Sequence, residues 1–139
     1  MIQLIPSCPV LQDFVIGVCY WDMIRKISIS SRSLKRLTVG NFYEKIGYLL
    51  LYDTVVDCPS LGYLNYDAYL AQGGSLTAKL DSLAEASIKL VVGRVYDSSL
   101  TEFFHGISNV RSLSLLRDAA EAIYLYCCPL PVLGNLTRL

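Results

Sequence analysis

Leu34-Lys35-Arg36-Leu37-Thr38-Val39 places apolar side chains at its first, fourth and sixth positions, and the same spacing returns along the whole chain. It recurs as Leu11/Phe14/Ile16, Leu61/Leu64/Tyr66, Leu83/Ala86/Ile88 and Val110/Leu113/Leu115, and a last copy runs from Leu136 to Leu139. Successive copies begin 23, 27, 22, 27 and 26 residues apart. On a strand the fourth and sixth positions point to one side, and the third and fifth to the other.

A single strand and its return segment cannot bury that apolar side alone. Stacking one copy on the next removes it from water, at roughly 25 cal/mol per Å² of apolar area. Every copy runs the same way, so neighbouring strands should pair in parallel. The pattern L-x-x-L-x-L, repeated at roughly 20–30 residues, marks a leucine-rich-repeat solenoid. The expected fold is therefore α/β, a parallel sheet of about five to six short strands with irregular, short-helix or short-strand return segments. Residues 1–139 are read as one such domain, with five full repeats and a partial sixth.

Between the copies the return segments differ. Arg25 to Ser30 alternates polar and apolar, which predicts a short strand on the return side. Tyr43 to Tyr52 fits a short helix or a buried strand, whereas Thr54-Val55-Val56 favours a strand through its branched side chains. Asp67 to Gln72 is expected to be irregular or a helical turn that ends at a Gly73-Gly74 turn, and Leu76 to Leu83 has a weak helical spacing. Ser99-Leu100-Thr101-Glu102 has capping-box spacing and Gly106 can end the helix it opens, with Phe103 or Phe104 turned inward. Asp118 to Tyr126 predicts a second helix. The chain starts and stops without the polar capping unit that a solenoid normally carries, so it is expected to be a piece of a longer repeat protein or a truncated product.

The composition excludes several classes. Twelve basic residues balance twelve acidic ones, so no global field draws the chain to nucleic acid or an anionic membrane. The most apolar run, Ile46 to Tyr52, is far shorter than the roughly 20 residues a membrane helix needs. Five cysteines, an odd number, and the lack of a signal-peptide pattern point to an intracellular, reducing compartment, cytoplasmic or nuclear. Cys8 and Cys58, each before a proline, are expected to be buried, and Cys19 to fill the ninth position of the first copy. Trp21 is expected over the end of the first coil.

Nothing predicts catalysis, a cofactor or a metal. His105 is the single histidine and adjoins the helix-ending Gly106, where a surface role fits better than a base. No C-x-x-C pair, G-x-S-x-G or phosphate-cradling loop is present.

Several stretches are similar to known repeats. Ser30-Ser-Arg-Ser-Leu-Lys-Arg-Leu-Thr-Val39, Asp57-Cys-Pro-Ser-Leu-Gly-Tyr-Leu-Asn-Tyr66 and Leu83-Ala-Glu-Ala-Ser-Ile88 resemble the repeats of plant F-box/leucine-rich-repeat proteins of the FBD type. So do Phe104-His-Gly-Ile-Ser-Asn-Val-Arg-Ser-Leu-Ser-Leu115 and Leu130-Pro-Val-Leu-Gly-Asn-Leu-Thr-Arg-Leu139. The resemblance implies a protein-binding scaffold like the substrate-recognition repeats of F-box-type ubiquitin-ligase receptors. It departs from the family in having no F-box before Leu11 and no FBD segment after Leu139, so a ligase adaptor is implied only if an F-box lies elsewhere. The alternative is a truncated, non-functional repeat fragment with no partner.

The outward positions stack into columns. The third gives Asp13, Arg36, Tyr63, Glu85, Ser112 and Arg138; the fifth gives Val15, Thr38, Asn65, Ser87 and Ser114. Neighbouring strands lie about 4.8 Å apart, so Asp13 and Arg36 can pair, and Arg36, Tyr63 and Glu85 make a charged and aromatic stripe. With Lys35 from the second position, the expected protein-binding face is Asp13, Lys35, Arg36, Thr38, Tyr63, Asn65, Glu85 and Ser87. Its partner is an unknown protein.

Overall fold

The computed structural model describes residues 2–4, 8–17, 26–40, 50–92, 99–117, 119–127 and 131–139. Among the described residues, eight strands, paired in parallel, and two short helices follow one another along the chain. The L-x-x-L-x-L copies form a front ladder of β2 (Asp13–Gly17), β4 (Arg36–Gly40), the start of β6 (Tyr63–Lys79), β7 (Glu85–Val92) and β8 (Ser112–Arg117). Its register is the one the spacing demands. Phe14, Leu37, Leu64, Ala86 and Leu113 lie opposite one another, and so do Ile16, Val39, Tyr66, Ile88 and Leu115. The sixth copy, expected to begin another strand, is reduced to a single bridge between Ser112 and Arg138.

Two backbone habits fix each rung. The N–H of the first position donates to the carbonyl three residues earlier, as Leu11 to Cys8, Leu61 to Cys58, Leu83 to Leu80, Val110 to Ile107 and Leu136 to Leu133. In the second repeat the Ser31 hydroxyl accepts from Leu34 N–H instead, so a polar residue takes the place of an apolar one by making the turn itself. The carbonyl of each second position then accepts two N–H groups from the next rung. Gln12, Lys35, Gly62, Ala84 and Arg111 all do so. Outside the Ser31 turn, the ladder thereby satisfies these turn amides with main-chain carbonyls.

The return side is also a parallel ladder at first. β1 (Ile2–Leu4), β3 (Lys26–Ser30), β5 (Leu50–Asp57) and the end of β6 pair in sequence. The alternation predicted for Arg25 to Ser30 is realised in β3, with Ile27 and Ile29 turned inward, and Thr54 and Val56 do the same in β5. Residues 43–49, most of the Tyr43 to Tyr52 segment left open between helix and strand, lie outside the described residues, as do Cys19 and Trp21.

β6 overturns two expectations. It runs from Tyr63 to Lys79, so neither a helical turn at Asp67 to Gln72 nor a helical start at Leu76 exists. The physical reason is pairing on both flanks: Tyr63 to Leu70 pair with β7, and Tyr69, Leu70 and Ser75 to Lys79 pair with β5. Between Leu70 and Ser75 the register against β5 shifts, so the glycine pair sits at an irregularity of the strand, where glycine is tolerated.

From the fourth repeat the returns become helices. α1 (Ser99–Gly106) packs on β6, and α2 (Ala119–Tyr126) packs on β7, β8 and α1. Leu100, Phe103, Phe104 and Ile107 recur at helical spacing and are all buried, so both phenylalanines face inward. The Phe103 ring lies 6.0 Å from that of Tyr66 and 5.3 Å from that of Phe104. Ala86, the small residue of the fourth copy, is nevertheless buried, as are Leu34, Leu61 and Leu83 at the first positions. Burying each such leucine is worth about 1.5–3 kcal/mol.

Cysteine placement corrects one further expectation. Cys58 is buried and its thiol donates to the Ile29 carbonyl at 3.8 Å, but Cys8 is exposed. Cys58 has described rungs on both sides; Cys8 belongs to the first described rung of the front ladder and has one on one side only.

Candidate protein-interaction face

The outward side of the front ladder is set by the strand pleat. With every fourth and sixth position inside, every third, fifth and seventh position must point out. Asp13, Arg36, Tyr63, Glu85 and Ser112 form one row in register, and Arg138 joins it through the final bridge. Val15, Thr38, Asn65, Ser87 and Ser114 form the next row.

The first row is physically connected. Arg36 Nε lies 3.4 Å from Asp13 Oδ1, with the two side chains 61% and 67% exposed. The Arg36 guanidinium also covers the Tyr63 ring, 4.4 Å from its centroid. Asp13 therefore holds one edge of the guanidinium and Tyr63 one face. Cation–π stacking at an exposed site contributes about 0.5–1 kcal/mol. Glu85 and Lys35 are exposed and form no ion pair among the described residues. Lys35 acts on the ladder through its carbonyl, which accepts from Gly62 and Tyr63.

The second row is lower and more polar. Thr38, Asn65 and Ser87 are half-buried between their neighbours, and Ser114 is exposed. Val15 stands 63% exposed at one end.

A third row was missed from the sequence. Asp67 and Lys89 occupy the seventh positions of their repeats, and Lys89 Nζ lies 3.0 Å from Asp67 Oδ2. At 24% and 29% exposure this pair is better shielded than Asp13–Arg36. The signal was present as a residue two past the fifth position in each copy, but it becomes visible only once the strands extend that far.

Elsewhere the titratable groups are structural. Burial pushes the Cys58 thiol up to about 11, with a smaller raising effect from Asp57 and a lowering one from the Ser31 backbone. Burial raises Cys127 against the lowering effect of Thr101, and raises Tyr66 strongly. The Thr54 hydroxyl lies near enough to the Tyr66 phenol to favour its ionised form slightly, yet falls short of hydrogen-bond geometry and is buried without a partner. His105 is exposed at the end of α1. Among the described residues no three metal-ligating side chains cluster, and no helix is long and apolar enough to cross a membrane.

Comparison with known proteins points one way. A relative from Arabidopsis thaliana, named for an F-box and leucine-rich repeats, is 36% identical over 136 residues, which is 96% of this chain and 31% of that protein. A second Arabidopsis relative, whose name adds an FBD segment, is 35% identical over 149 residues, covering 100% of this chain and 29% of that protein. A third, an F-box/LRR-repeat protein, is 34% identical over 143 residues, 98% of this chain and 31% of its own length. The chain thus spans about a third of the length of the curated relatives it matches. No family model matches it, and no solved structure matches it closely. In-register L-x-x-L-x-L rungs make the chain a leucine-rich-repeat solenoid, and over nearly its whole length it is similar to a part of plant F-box/leucine-rich-repeat proteins.

Proposed function

We propose that this solenoid is a protein-interaction module and that a protein partner docks on Asp13, Lys35, Arg36, Thr38, Tyr63, Asn65, Glu85 and Ser87. The observation that carries this reading is the Arg36–Tyr63 stack in the exposed row. Arginine and tyrosine are the types most enriched at binding hot spots. A guanidinium already held by Tyr63 and Asp13 has less freedom to lose on binding, which lowers the cost of association. The names of the relatives support a role like that of F-box-type substrate receptors. An adaptor of a ligase enters that role only through an F-box elsewhere in the protein. Free Cys8, Cys58 and Cys127 support a reducing intracellular setting, cytoplasm or nucleus. No catalytic step is assigned to the chain.

The test is affinity capture from plant extract with the wild-type chain and with Arg36→Ala/Tyr63→Ala as baits. Both substituted side chains lie on the outward face, so the variant should stay folded and lose only the stack and the Asp13 pair, about 1–2 kcal/mol together, which its melting curve checks. Loss of a partner from the variant is the expected result. Intact capture refutes the face, and failure of the wild-type chain to capture anything favours a partnerless fragment.

A further inference from the structure

The charged row alternates at a fixed interval. Arg36, Glu85 and Arg138 are separated by single uncharged rungs, Tyr63 and Ser112. Each pair is therefore two rungs apart, roughly 9.6 Å at a strand spacing of about 4.8 Å. Three residues of a polyproline II segment make one turn and cover roughly the same distance, at about 3.1 Å each, so side chains at every third position point the same way.

The three charges are available. Asp13 engages the Nε edge of Arg36, and the terminal nitrogens make no hydrogen bond among the described residues. Those nitrogens form the planar fork that matches a carboxylate. Glu85 and Arg138 are exposed and have no ion-pair partner among the described residues. Beside them run Thr38, Asn65, Ser87 and Ser114, short polar side chains able to hydrogen-bond a passing main chain. The Asp67–Lys89 pair and Leu116 bound them on the far side.

We infer that this face reads a polyproline II segment of a partner protein lying across the strands, with an acidic residue over Arg36, a basic residue three positions along over Glu85, and a second acidic residue three further along over Arg138. The Tyr63 ring, between the first two, covers the apolar stem of the basic side chain. Asp13 and Glu85 in the row, and the balanced charge of the chain, set it against nucleic acid. The inference rests on the proposed protein-binding face and adds the chemistry of its occupant.

The experiment selects binders to the purified 139-residue chain from a randomised decapeptide library displayed on phage, and repeats the selection on Glu85→Lys. Glu85 is exposed, so the variant folds, and its melting curve is recorded as a control. The expected outcome is enrichment of acid-x-x-base-x-x-acid peptides by the wild type, with the central base replaced by an acid in the Glu85→Lys selection. A synthetic peptide from the wild-type selection should bind Glu85→Lys at least about tenfold more weakly, and its charge-swapped form should regain the loss. Enrichment of another pattern, or one that Glu85→Lys leaves unchanged, overturns this inference while the binding face stands. No enrichment with either chain overturns both.

Discussion

Gly106, the last residue of α1, lies against the main chain of Ala78 in β6 so closely that a side chain there would run into the Ala78 carbonyl oxygen. This is where the return side changes from strands to helices, and α1 reaches β6 only because one of its residues has no Cβ. The obstacle is backbone held in a ladder with β5, so it cannot swing aside as a side-chain tip could. Gly106→Ala should therefore destabilise the chain by about 1–3 kcal/mol. A lower urea midpoint with an unchanged slope would show it; a midpoint equal to the wild type would mean that α1 is not seated on β6.

Thr54 predicts the opposite sign. Its hydroxyl is buried in β5 with no partner, while its γ-methyl is already the kind of group the core prefers. Thr54→Val should raise stability by about 1 kcal/mol, because an unsatisfied buried hydroxyl costs more than the apolar isostere. A urea midpoint below the wild type would reveal that the Thr54 oxygen does bond the Tyr66 phenol in solution.

The two ion pairs should differ in strength. Double-mutant cycles with Asp13→Ala and Arg36→Ala should give a coupling of about 0.2–1 kcal/mol that shrinks with added salt, as for exposed pairs in general. Asp67 and Lys89 are closer and better shielded, so their cycle should give the larger and less salt-sensitive coupling. Equal couplings at every salt concentration would contradict the difference in exposure.

Alkaline pH should loosen the core through Cys58. Its thiol rises from 9.0 to about 11 on folding, so the unfolded chain loses that proton at a lower pH than the folded one. The stabilisation is complete below pH 9 and is lost as pH rises through 11, by about 3 kcal/mol at most over that interval. Tyr66, also raised by burial, acts in the same direction. Urea midpoints recorded from pH 8 to pH 11 should fall less steeply for Cys58→Ala than for the wild type, and parallel curves would show that the thiol is not buried as described.

Much of this architecture was legible in the residues. The triplets from Leu11 to Leu139 set which side chains face the core, and a side-chain period of two leaves no freedom in what faces out. That is why Asp13 against Arg36 and Arg36 against Tyr63 could be read before any coordinates. The return segments were less legible. Lys26–Ser30 showed its alternation, but Asp67 to Gln72 read as irregular or helical because local propensity says nothing of two neighbouring strands ready to pair. Cys8 and Cys58 share a Cys-Pro pair and differ only in the rungs around them.

The sequence by itself determined the rungs, their parallel direction and the outward rows, because a repeat that cannot bury its apolar side alone must stack on its neighbour in register. Only the tertiary structure decided where returns are strands and where they are helices, that Asp67 meets Lys89, and that Gly106 touches Ala78. Those outcomes depend on distances between segments far apart in the chain, which local spacing does not encode.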